Sequence, residues 1–133
     1  MSCLSDSLRD IWSAILSCVA MPQDLAEERG AQLLAHILSP AQRGQYAKHC
    51  SFDVTGGDTG RRYRIRHGNM MNVQQLDQNG TVVQLLCFSP RGLLPVGDVM
   101  LAQKLALELF ETSALRVANR SLAWRAARDA YSE

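Results

Sequence analysis

The sequence predicts an α+β domain: a small antiparallel β-meander of about four strands packed on a buried central helix, with helices preceding it. Three observations carry this. Apolar residues recur at intervals of three and four from Leu4 to Leu38. From Ser51 to Phe88 the period shortens to two, punctuated by glycine-bearing turns. From Val99 to Phe110 only Gln103, Lys104 and Glu108 interrupt an apolar run. A helix that is apolar nearly all round has no face suited to water, so it reads as buried. Helices gathered beside an antiparallel sheet make an α+β domain.

The chain has 133 residues, 47% hydrophobic and 20% charged, which suits one globular domain over 1–133. A helical part, 1–50, precedes a meander and its following helices, 51–133. A chain of this length buries over ~65% of its unfolded surface and folds without a staple. The net charge of +1 argues against bulk electrostatic attachment to nucleic acid or an anionic membrane, while permitting a local patch. Cys3, Cys18, Cys50 and Cys87 form no C-x-x-C pair, which suits four reduced thiols and a cytoplasmic chain. MSCLSDSLRD has an acid where a signal peptide needs basic residues. No apolar run approaches the ~20 residues of a membrane span, so no membrane partner is expected.

Ser5 to Val19 reads as an amphipathic helix, with Leu8, Ile11, Trp12, Ile15, Leu16 and Val19 on one side. Met21-Pro22 ends it, because the residue before proline leaves the helical region. Asp24 to Leu38 is a second helix with acids in its first turn. Its Gly30 is costly in mid-helix and suits a close helix crossing. Ser39-Pro40-Ala41-Gln42 is a capping box with proline at the first helical position, and it predicts a third, polar helix to about His49 anchored by Tyr46.

Phe52 to Val54, Arg61 to Arg66, Met70 to Leu76 and Thr81 to Phe88 read as strands. Thr55 to Gly60 is a glycine-rich loop, and Asn79-Gly80 is a hairpin turn. A three-residue loop at His67 to Asn69 sets Arg66 opposite Met70, Arg64 opposite Asn72 and Arg62 opposite Gln74. The Asn79-Gly80 turn sets Leu86 opposite Val73 and Phe88 opposite Met71. Tyr63, Ile65, Met71, Val73, Leu86 and Phe88 then share an apolar face, and a one-residue slip would mix it with arginine. Asp98 is the expected N-cap of the central helix, Glu111 to Ser113 its end, and Ala114 to about Tyr131 a final helix.

Chemistry concentrates on the opposite face of the meander. Alternation places Arg62, Arg64 and Arg66 together, flanked by Arg61, His67, Asn72 and Gln74. Aligned guanidiniums bind phosphates or acidic protein surfaces; the plainer alternative is a solvated face with arginines paired to Asp53 and Asp58. Gly56-Gly57-Asp58-Thr59-Gly60 lacks a Walker or dinucleotide pattern, so its glycines read as turn residues with positive φ. His49, Cys50, His67 and Cys87 lack zinc-ligand spacing. Gln103 and Lys104 read as positions where the central helix emerges at an edge, with Lys104 reaching water. No nucleophile, base and orienting group can be placed together, so no catalytic, metal or cofactor residue is assigned.

The runs FDVTGGDTGRRYRI, NV, LCFSPRG and LPVGDVMLAQKLALELFE, with AN after them, resemble a group of short uncharacterised bacterial and phage-type proteins. The similarity spans roughly Leu38 to Arg120 and implies a prokaryotic cytoplasmic origin. No activity, cofactor or site residue comes with it. The expectation is therefore a small non-enzymatic binding or adaptor protein acting on an acidic protein partner, with a second copy of itself, met through exposed apolar helix faces, as a further candidate. A nucleic-acid-binding accessory protein using the same arginines is the alternative, and an enzyme with an unrecognised site the third.

Overall fold

A computed structural model describes residues 25–121. The expected first helix lies outside the described residues, as does the last expected helix beyond Ser121. Helix α1 spans Leu25–Ile37 and α2 spans Pro40–His49. Strands β1 (Ser51–Thr55), β2 (Arg62–Arg66), β3 (Val73–Leu76) and β4 (Val82–Cys87) follow. Helix α3 (Val96–Val117) leads to a three-residue strand β5, Asn119–Ser121. The sheet is antiparallel throughout, in the order β1-β2-β3-β4-β5.

The capping box is formed as expected. Ser39 Oγ accepts the Gln42 N–H at 3.2 Å, and Gln42 Oε1 accepts the Ser39 N–H at 3.0 Å. The same Gln42 donates through Nε2 to the Asp53 carbonyl at 2.9 Å, and Gln45 Oε1 accepts the Asp53 N–H at 2.8 Å. Two α2 side chains thus satisfy backbone groups that β1, an edge strand, turns away from the sheet.

One face of the sheet is the core. Phe52, Val54, Tyr63, Ile65, Val73 and Leu86 meet Leu34 of α1 and Leu38 just after it, Tyr46 of α2, and Met100, Leu107 and Ala114 of α3. Phe88 packs partly against this cluster. Gly30 is where α1 and α3 touch: a Cβ there would press on Pro95, and one on Gly97 would collide with the Gly30 backbone. The expected close crossing is present.

Several expectations are corrected. The β2–β3 pairing is shifted by two residues: Arg64 faces Gln74 and Arg62 faces Leu76. An even shift preserves which side chains share a face, so the apolar set survives where Met71 does not intervene. The connection runs from His67 to Asn72 because Gly68 (φ 144) and Met71 (φ 52) turn the chain. Met71 is thereby exposed and Asn72 buried, the reverse of the expected alternation. The Val73–Leu86 pairing holds, with an irregularity between Gln75 and Leu76.

The central helix starts after Pro95, whose carbonyl accepts the Val99 N–H at 3.1 Å, rather than at an Asp98 cap. Its break falls at Phe110 (φ −139, ψ 42), and helix resumes to Val117. Ala118 is extended and Asn119–Ser121 pairs with β4, so a final helix beginning at Ala114 and running through these residues is excluded. Nor is α3 buried all round, since Leu105, Leu109 and Phe110 are exposed. Gln103 and Lys104 are instead buried. Gln103 exchanges hydrogen bonds with the Asn72 amide and donates to the Phe88 carbonyl at 2.8 Å. Lys104 is ion-paired with Glu108 one turn on. Cys50 is disulfide-bonded and Cys87 is a free thiol, so the expected set of four reduced thiols does not hold.

Among the described residues, no helix is long and apolar enough to cross a membrane.

Candidate functional site

The arginines stand on the sheet face opposite the core. The registry lays Asp53, Arg64, Gln74 and Leu85 in one row across four strands. Asp53 lies directly opposite Arg64, with Arg62 on the diagonal. Both guanidiniums converge on its carboxylate. Arg64 Nε donates to Asp53 Oδ1 at 2.9 Å, and its Nη2 reaches Oδ2 at 3.4 Å. Arg62 Nη2 donates to the same Oδ2 at 3.2 Å. The side chains of Arg62, Arg64 and Asp53 are 48%, 35% and 20% exposed, so the pair faces water while the carboxylate sits deeper between them.

Asp53 is held independently of those arginines. Its backbone N–H and C=O are fixed by Gln45 and Gln42, as described above. The carboxylate therefore projects from a point tied to both the sheet and α2. Three depressions meet around the triad. One of about 320 Å³ is lined by Gln45, His49, Ser51, Asp53 and Arg64. A second, of about 520 Å³, lies between Ser39, Gln42, Asp53, Arg62 and Glu108. The third, of about 630 Å³, separates Arg61 and Arg62 from the β3–β4 turn at Asp77, Gln78 and Asn79. Arg62 borders the second and third, and Asp53 the first and second.

The expected site residues divide. Arg61, Arg62 and Arg66 are exposed, with Arg64 and Gln74 half-buried beside them. His67 belongs elsewhere: its Nδ1 is 2.8 Å from the Tyr46 hydroxyl, and its ring stacks on that of Tyr46. Burial holds the imidazole below its ordinary pKa, against the opposing field of Glu27. Asn72 is buried, its amide donating to Gln103, Arg66 C=O and Gly68 C=O. Both leave the arginine face: His67 continues the alternation of Tyr63 and Ile65 onto the core side, its N–H donating to the Cys50 carbonyl at 2.9 Å, and Asn72 is turned toward α3 by the longer connection. Asp58, expected as an arginine partner, instead accepts the Thr112 N–H and hydroxyl at 2.9 and 2.7 Å. Val83, Leu85 and Cys87 are half-buried on β4.

A second constellation escaped the sequence reading. The loop Gly56 to Gly60 clasps α3 at its kink. Gly57 N–H donates to the Leu107 carbonyl at 3.0 Å, and Asp58 caps Thr112. In a straight helix, that carbonyl and that N–H would be served within α3. The Glu111 carboxylate, fully buried, accepts the N–H of Asp58 and Thr59, the Thr59 hydroxyl at 2.6 Å and the Tyr63 hydroxyl at 2.5 Å. Burial raises its pKa, and these four bonds outweigh burial to leave it below the ordinary carboxylate range. Only Gly60 has positive φ in this loop; Gly56 and Gly57 are glycine because a Cβ would strike Glu111 or the Glu108 carbonyl. Every oxygen of Glu111 is used, so this is a structural joint with no group left over for chemistry.

Among the described residues, no three His, Cys, Asp or Glu side chains are grouped to hold a metal ion. Comparison with family models, curated proteins and solved structures finds no match to this chain.

Proposed function

We propose that this is a small non-enzymatic binding or adaptor protein that engages an acidic protein partner through the face bearing Arg61, Arg62, Arg64 and Arg66. One observation carries the reading: Arg62 and Arg64 are fixed side by side by a single carboxylate, a cluster with one net positive charge that borders three open depressions. Guanidiniums held in place lose less conformational freedom on binding than free ones, and each keeps N–H donors beyond those given to Asp53.

The test is binding of a labelled oligoglutamate peptide, with a DNA duplex measured alongside. Oligoglutamate should bind, weakening as salt rises. Replacing both Arg62 and Arg64 by alanine should cost roughly thirtyfold, at about 1 kcal/mol per charge near water, with the thermal melt unchanged. Absence of binding by the wild-type chain would sink the proposal. Preference for DNA would transfer the arginines to the nucleic-acid reading.

A second observation favours self-association as an additional property. Leu105, Leu109 and Phe110 lie exposed on α3, on the side away from the sheet, at 39%, 62% and 63%. Exposed apolar residues grouped on one helix mark contact surfaces.

A further inference from the structure

We infer that Asp53 is a built-in occupant of the arginine pair, a tethered carboxylate that an incoming acidic segment must outcompete or share. The inference rests on the binding reading above and deepens it by naming what sets affinity at that site.

The geometry resembles a ligand complex made within one chain. A carboxylate accepting from two guanidiniums at 2.9–3.4 Å is how a basic surface holds an acidic side chain. Here the carboxylate is supplied by β1. Its backbone anchor does not depend on the guanidiniums, since Gln42 and Gln45 hold the Asp53 carbonyl and N–H from the other side. Asp53 thus stays in place when an arginine swings away, and it reclaims the guanidinium when a ligand leaves. Two positive charges and one negative leave the triad with a net charge of +1. A lone anion gains little from that residue of charge. A segment with several carboxylates, laid along β2, reaches the exposed Arg66 on the same face and Arg61 beside Arg62 as well, clear of Asp77 and Glu108 at the far walls of the depressions. The tethered carboxylate therefore discriminates against small single anions and favours an extended acidic peptide, which is the partner class we assign.

Removing the Asp53 charge while keeping its shape exposes this role. The backbone bonds to α2 do not involve the side chain, so Asp53→Asn is expected to fold. In the full chain, Asp53→Asn should bind labelled oligoglutamate about fivefold more tightly than wild type, the effect of one charge some 4 Å away at a wet surface. Its salt dependence should steepen, and acetate should compete more effectively. The gain should vanish when Arg64→Ala is added. If Asp53→Asn melts early, Asp53→Ser carries the same measurement. Unchanged or weaker binding by these variants, with the Arg62→Ala and Arg64→Ala loss still present, would overturn the inference and leave the binding reading standing. No binding by wild type or any variant would remove the reading itself. A gain for DNA larger than that for oligoglutamate would overturn the assigned partner class.

Discussion

Glu111 shows how one side chain can hold two elements in register. It is a buried anion on α3, and all its acceptors are taken by the Gly56–Gly60 loop and Tyr63 of β2. A buried carboxylate is tolerated only when hydrogen bonds replace its lost water. Because its pKa is lower folded than unfolded, unfolding takes up a proton in mild acid. The stabilisation is complete above the ordinary carboxylate pKa and is lost as pH falls through the lower, folded value. Glu111→Gln replaces one acceptor with an NH₂ group aimed at donors, and should cost about 3 kcal/mol at neutral pH. Urea denaturation should show a lower midpoint at unchanged slope, with the gap between variant and wild type narrowing below about pH 4. A gap that persists unchanged in acid would show that the carboxylate charge is not what the loop binds.

At the scale of elements, local chemistry was legible and long-range competition was not. The capping box from Ser39 to Gln42 depends on four consecutive residues and forms as read. The two-residue periodicity of β2 and β4 is likewise local, and it places Tyr63, Ile65 and Leu86 in the core. Two of the expected arginine-face residues lie elsewhere: Asn72 because Met71 takes positive φ, which no residue-type preference announces, and His67 because the alternation of Tyr63 and Ile65 continues through it. Gly56 and Gly57 read as turn glycines, whereas their reason lies some fifty residues away on α3. The all-apolar look of α3 misled for a related reason: burial follows the face that meets the sheet, and leucine also occupies the other side. Leu107 and Leu105 make the contrast measurable. Leu107 is fully buried in the core, so Leu107→Asp should abolish cooperative folding by stranding a charge there. Leu105→Asp lies on the exposed side and should keep a cooperative melt within about 1 kcal/mol of wild type. Loss of cooperativity in Leu105→Asp, measured by circular dichroism, would restore the reading of a helix enclosed on every side.

Across the whole molecule, the sheet separates two surfaces of different chemistry. One side is basic and pitted, with arginines arranged by β1 and α2. On the other, α3 turns Leu105, Leu109 and Phe110 outward while Met100 and Leu107 seal the core beneath. The kink at Phe110 belongs to this division, because a residue leaving helical geometry re-aims its side chain, and the loop clasp supplies the hydrogen bonds that keep that geometry in place. Two chains joined through their α3 faces would bury apolar surface on both and leave both arginine faces open, doubling the charge presented to an acidic partner. Light scattering across a concentration series should then report a dimer whose dissociation constant rises at least tenfold in Leu109→Glu, the cost of placing a charge in an apolar contact. The monomeric variant should keep the wild-type affinity of one site for a short oligoglutamate and lose the avidity seen with a long one. A wild-type chain that stays monomeric at every concentration would confine the molecule to its single basic face.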